Sequence, residues 1–249
     1  MTFGAVLLGM TFGALAQDGA PDGTHVFRGY AYDLESGKFL YTEVHKQTVV
    51  NERWLGGTID YYAPDGSHLG HKDLDFRNDP FIPVFRLELA TGYMEAITAV
   101  GAGGVDIQKK GYGATAVETA TVKRKGAMAA DSGFHSFLRE HFAELLDRKT
   151  VTFTFVVAGN LDTYKFRARR IEDRTFEGKP AVQLKVEPST WLRLLADPLY
   201  ILYEPTQRRL LEYRGTSNLH DPKTHHAYAV RIVYPSSPPA DAPRLPEGL

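Results

Sequence analysis

The chain has 249 residues, 29 Lys plus Arg against 30 Asp plus Glu, and no cysteine. With 43% hydrophobic and 12% aromatic residues it can fold around a core, which excludes a disordered chain. A disulfide scaffold and a thiolate zinc site are excluded for want of Cys. The net charge of −1 argues against a general nucleic-acid partner, because neutralising phosphates needs a Lys/Arg excess.

Residues 1–16, MTFGAVLLGMTFGALA, are uncharged and almost wholly apolar or small. Ala14-Leu15-Ala16 fits a small-x-small cleavage pattern, so the run reads as a signal peptide. No basic n-region stands before it, so the start lies inside a longer signal or the signal is a weak one. The run is shorter than the roughly 20 residues that span a bilayer. Residues 17–23 read as a linker, and no later stretch is apolar enough for a membrane helix. The expectation is an exported protein, periplasmic or secreted from a bacterial envelope, with a single domain over 24–234.

Within that domain the dominant period is two. Strands are predicted at 25–32, 38–49, 53–62, 68–76, 84–89 and 93–100, with weaker ones at 105–110 and 116–123. Pro64-Asp65-Gly66-Ser67 and Thr91-Gly92 supply turn chemistry between them. One segment has helical period instead. Phe134, Phe137, Leu138, His141, Phe142, Leu145 and Leu146 form one apolar stripe, with Asp131 or Ser132 to cap it and Glu144 placed to pair with Arg148. Strict alternation returns in TVTFTFVV at 150–157, then at 164–169, 182–187 and 228–234. A shorter helix or turn is predicted at 189–196, and Gly215-Thr216-Ser217-Asn218 reads as a strand end and turn. Residues 235–249 hold five prolines and read as a disordered tail or extended spacer.

Strands that return by hairpins pair antiparallel, and about a dozen of them in one domain must curl, close or split. The fold class is therefore mainly β: a curved antiparallel sheet or partly open β-barrel with one long amphipathic helix packed on it.

Five groups of residues are candidates to carry function. His71, Asp73 and Asp75 share one face of a predicted strand and could hold a divalent metal for a hydrolase, or form a solvated face. His220, Asp221, His225 and His226 cluster in a hairpin loop that reads as solvated. Gly111-Tyr112-Gly113-Ala114-Thr115-Ala116 matches G-x-G-x-x-A, but a strand follows it where a dinucleotide site needs a helix. Lys123-Arg124-Lys125 is a short basic run bounding a loop. The remaining feature is distributed: Phe153, Phe155, Tyr164, Phe166 and Trp191 could wall an apolar cavity between sheet and helix, or fill the core.

The closing run LLEYRGTSNL…AYAVRIVY, with Gly215, Ser217, Asn218, Arg231 and Tyr234, resembles uncharacterised proteobacterial periplasmic proteins. These are similar to the half-barrel fold of periplasmic lipoprotein carriers, and the resemblance covers 24–234. It implies a concave sheet that accommodates acyl chains and implies no catalytic residues. The reading is a monomeric, non-catalytic binding protein for a lipid or other hydrophobic ligand, without cofactor or metal. A metal-assisted hydrolase and an envelope scaffold recruiting a partner strand at its sheet edge are the alternatives.

Overall fold

The computed structural model describes residues 22–51, 53–189, 197–243 and 245. The signal-like run and most of the 17–23 linker lie outside these residues, as do 190–196 with Trp191. The described residues contain a single sheet of fifteen strands. The first eight are β1 (Gly23–Asp33), β2 (Phe39–Val50), β3 (Arg53–Tyr62), β4 (His68–Asp75), β5 (Val84–Leu89), β6 (Met94–Val100), β7 (Gly104–Lys110) and β8 (Glu118–Lys123). Then come β9 (Met128–Ala130), the helices α1 (Gly133–Glu140) and α2 (Phe142–Leu146), β10 (Val151–Val157) and β11 (Asp162–Phe176). Strands β12 (Lys179–Pro188), β13 (Leu199–Tyr203), β14 (Leu210–His220) and β15 (Ala227–Val233) complete the sheet.

The topology is a meander with its two termini paired in the middle. Strands β1 to β8 follow one another outward, β9 to β15 do the same on the other side, and β1 pairs antiparallel with β15 through Tyr30↔Val233 and Ala31↔Ile232. The sheet edges are β8 and β9, which are consecutive in the chain. Only residues 124–127 separate them, so the two edges can stand at most about 18 Å apart where the chain crosses. The sheet is therefore curled back on itself without a hydrogen-bonded closure, the curved antiparallel architecture that the alternation predicts. Strand β9 is the exception to antiparallel pairing, running parallel to β10.

Most predicted strands fall within two residues of the observed ones, and β3 and β5 have the predicted bounds, but β11 and β12 extend well beyond the predicted 164–169 and 182–187. Strands β9 and β13 are too short and too uniformly apolar to show alternation. Residues 215–218 continue β14 instead of turning. The long helix is two short ones. His141 leaves helical geometry at φ −90°, ψ 15°, and its Nδ1 donates to Glu144 Oε1 at 2.7 Å, so Glu144 faces back along the chain. The apolar stripe survives the break, with Phe134, Phe137, Leu138, Phe142 and Leu145 all buried. No helix among the described residues is long and apolar enough to cross a membrane.

The rings expected to wall a ligand cavity pack against one another. Phe153 sits opposite Phe166 in the β10–β11 register, and their centroids are 6.1 Å apart. Phe134 and Phe137 of α1 approach Phe153 to 5.2 and 5.0 Å, and Phe155 lies 6.0 Å from Phe166. These distances are ordinary aromatic contacts, so the interface between helix and sheet is filled by rings. Tyr164, opposite Phe155, is half-buried at its rim and accepts a long hydrogen bond from Asn160 at 3.4 Å. The described part of the proline-rich stretch also makes contacts: Tyr32 Oη donates to Asp241 Oδ1 at 3.0 Å, and Ala242 packs on the Tyr30–Tyr32–Val233 cluster.

Removing the Phe153 ring should leave a cavity that its neighbours cannot collapse into. Phe153→Ala is expected to lower unfolding stability by about 3–5 kcal/mol in urea titration. Val26→Ala, at a side chain 54% exposed, should change it little.

Candidate functional site

The core face of this sheet carries ionisable groups as well as rings. In β2, Glu43 and His45 alternate inward with Tyr41, and His45 Nε2 donates to Glu43 Oε2 at 3.0 Å. Lys72 of β4 lies directly across from Leu87, which lies across from Glu95 of β6. Inward-pointing charges need partners. Lys72, fully buried, finds Asp131 in the turn between β9 and α1, with Nζ 2.6 Å from Oδ2. Asn218 Nδ2 of β14 donates to the same oxygen at 2.9 Å. Asp131 Oδ1 accepts the Ser132 N–H and hydroxyl at 2.6 and 2.8 Å. The carboxylate therefore takes four hydrogen bonds. Its residue is held at φ +41°, and the next glycine, Gly133, is packed so that a Cβ would come 2.2 Å from the Phe81 carbonyl oxygen.

Beside this network the curl leaves a cleft of about 260 Å³. It forms where three distant pieces of chain meet: the β6–β7 end, the short 3-10 turn Ala158–Asn160 after β10, and the β14–β15 end. The walls are held by rings. Tyr112 Oη and His220 Nδ1 share a 2.6 Å hydrogen bond, Tyr93 stacks on Tyr112 at 5.4 Å, and the Tyr112 and His225 rings lie parallel at 3.8 Å. Glu95 lies inside, with Oε2 accepting from Tyr93 Oη at 3.0 Å. Gly159 lets the backbone close over this pair, since a Cβ there would come 2.4 Å from Glu95 Oε2.

Burial controls the proton affinities here. Desolvation, reinforced by the negative charge of Asp131, pushes the Glu95 carboxyl up to about 7 against the pull of Lys72, the Tyr93 hydroxyl and Lys109. Desolvation, with the nearby His225, Lys109 and His226, pushes His220 down to about 4, so its imidazole is neutral at pH 7. Burial beside Glu95 also raises the Tyr93 phenol. Perturbed groups converging in a cleft are the usual physical mark of a functional site.

The structure sorts the other candidates. His71 does not converge with both of its expected carboxylates. Its Nδ1 donates to Asp60 at 2.7 Å and its Nε2 approaches Asp73 at 3.3 Å, while Asp75 is taken by Arg77 at 2.5 Å. Burial disfavours the His71 charge, but the bonds and charges of Asp60 and Asp73 outweigh it and raise the pKa. Among the described residues, no group of three or more His, Cys, Asp or Glu side chains is arranged to hold a metal ion. Of the 220–226 loop, His220 and His225 line the cleft, while Asp221 Oδ1 closes a turn through the Lys223 and Thr224 N–H groups. The Gly111–Ala116 segment contributes Gly111 and Tyr112 to the cleft wall. Arg124 pairs with buried Asp79. A larger open groove of about 1240 Å³ runs on the opposite face of β11–β15, where Glu172 pairs with Arg174 and Glu212 with both Arg214 and Arg231.

Glu95, Tyr93 and Lys109 did not stand out in the sequence, and Asn218 read as part of a strand end and turn. A lone acid in MEAITAV has no motif around it. The one available signal was that Glu95 shares its strand parity with the apolar Ile97, which places a carboxylate on a core face.

No protein family matches the chain, and no curated protein does. Among solved structures it is similar to a β-barrel-like protein of Brucella abortus with a domain of unknown function. The TM-score is 0.43 at 8% identity, over 86% of this chain and 98% of that one.

Two measurements check the electrostatics. Lys72→Met strands a buried carboxylate and should cost about 3–5 kcal/mol in urea unfolding. Glu95 binds its proton more tightly folded than unfolded, so its contribution is fully present below its ordinary value of 4.5 and is lost as pH rises through about 7. The loss is about 3 kcal/mol, from 1.36 kcal/mol per pH unit over that interval. In Glu95→Gln this component of the stability–pH curve between 4.5 and 8 should be absent, giving a flatter profile than wild type.

Proposed function

We propose that the chain is an exported, non-catalytic binding protein that holds a small polar molecule in the Glu95–His220 cleft. The observation that carries this reading is an unsatisfied acceptor. Asn218 lines the cleft and is buried, its Nδ2 is committed to Asp131, and its Oδ1 has no hydrogen-bond partner. A buried polar atom left unmade costs about 1–3 kcal/mol, which a ligand donor would recover. The volume is just below the roughly 300–1,000 Å³ of sites for drug-sized ligands, so the guest is small. The cleft lining contains a single carboxylate and no Ser, Thr or Cys hydroxyl or thiol, a composition suited to recognition. The interlocked Phe153, Phe155 and Phe166 rings favour this cleft over an apolar guest between sheet and helix. The apolar run at 1–16 supports export to the periplasm.

The test is a panel of amines, carboxylates, amino acids and sugars, read by the ring signals of His220 and His225 in NMR. At least one class is expected to shift both signals saturably. His220→Ala should weaken that ligand about tenfold or more and lower unfolding stability by about 1–3 kcal/mol through the lost Tyr112 hydrogen bond, leaving the protein folded. Shifts confined to the groove on the other face, or none across the panel, would overturn the reading.

A further inference from the structure

The cleft lining carries groups of both signs, Glu95 and Lys109, and this narrows the guest. We propose that it accepts a free α-amino acid, with the ammonium group between Glu95, Asn218 Oδ1 and the Tyr93 ring, and the carboxylate toward Lys109. The proposal rests on the cleft being the binding site and adds the ligand class.

The acceptor side comes first. Glu95 and Asn218 Oδ1 are both buried acceptors in the cleft lining, and Asn218 cannot turn its amide because Nδ2 is held by Asp131. Their match is a group with several N–H donors. An ammonium has three, and it also gains from aromatic faces within about 6 Å. Tyr93 supplies an aromatic wall beside His220, with ring centroids 4.6 Å apart, while Tyr112 is stacked between Tyr93 and His225. Because His220 is neutral at pH 7, that wall does not repel a cation.

The positive side is Lys109. It is the residue directly across from Glu95 in the β6–β7 register and also lines the cleft. Directly opposed residues place their Cβ atoms about 4.5–5.5 Å apart, so the ammonium of Lys109 and the carboxyl of Glu95 share one end of the cleft. A simple amine would meet repulsion from Lys109, and a simple carboxylate would meet Glu95. A molecule carrying both groups on neighbouring atoms satisfies both. The charged and titratable groups facing Glu95 are Lys72 from β4, Lys109 from β7, Asp131 from the β9–α1 turn and Tyr93 from its own hairpin, with His220 across the cleft. Of these, Glu95 is the one placed to change charge near neutrality, so ammonium binding should strengthen as pH rises through about 7.

The experiment titrates the full chain with each of the twenty common L-amino acids, and with ethylamine and propionate as half-ligands, following the His220 and His225 ring signals. At least one amino acid should bind ten times more tightly than either half-ligand. Lys109→Met should weaken the amino acid about tenfold and leave ethylamine no weaker. Glu95→Gln should weaken it and abolish the rise in affinity between pH 6 and 8. Unfolding curves of both variants verify that they fold, and in a variant that does not, Lys109→Gln or Glu95→Ala takes its place. Half-ligands that bind as tightly as every amino acid, or an unchanged affinity in the Lys109 variant, would overturn the proposal. If a sugar or another class shifts the ring signals and no amino acid does, the ligand class fails while the cleft stands. If no compound shifts them, both fail.

Discussion

Asp131 joins the two halves of a sheet that has no hydrogen-bonded seam. One oxygen accepts Lys72 from β4 and Asn218 from β14, strands that lie five positions apart in the sheet order and meet only across its interior. The other oxygen orders the turn into α1. A buried ion pair is not by itself a source of net stability, since desolvating two charges is expensive. Its effect is geometric: with four bonds to satisfy, the carboxylate tolerates one arrangement of the walls around it.

That arrangement has consequences at Glu95. The second buried acid lies near a lysine whose charge is already matched, so its own charge is poorly compensated, and burial raises its proton affinity. The same contact that orients the Asn218 amide leaves Oδ1 without a donor. Structural closure and the proposed binding site thus share one network. The contrast with the phenylalanine cluster is instructive. Around Phe153 the helices supply rings to fill the space, whereas at the other end of the interior the walls are tyrosine and histidine, whose polar atoms hold a cleft open.

Much of the fold was legible because steric pleating makes alternation local: each strand shows its inward face in its own residues. The apolar stripe of 134–146 was legible for the same reason. Its break at His141 was not, because a side chain that bonds three residues onward competes with the backbone in a way periodicity does not record. Lys72 shows the limit most clearly. Its parity with Leu74 and Phe76 placed it inward, yet a lysine in a strand ordinarily reads as local charge compensation. Asp131, fifty-nine residues away, pairs with its charge and makes its burial tolerable. His220 and His225 read as a solvated loop because their ring partner, Tyr112, is more than a hundred residues distant.

The amino-acid order by itself determined most of the strands, the side of each of these that faces inward, and the mainly antiparallel pairing of neighbours, since all of these follow from pleat geometry and short turns. The tertiary structure alone decided which inward charges meet, which rings fill space and which enclose it. Those outcomes depend on the summed twist of many strands, which brings the segment after β7 against the end of β14. Twist accumulates over the whole sheet, and no single segment carries a record of where it ends.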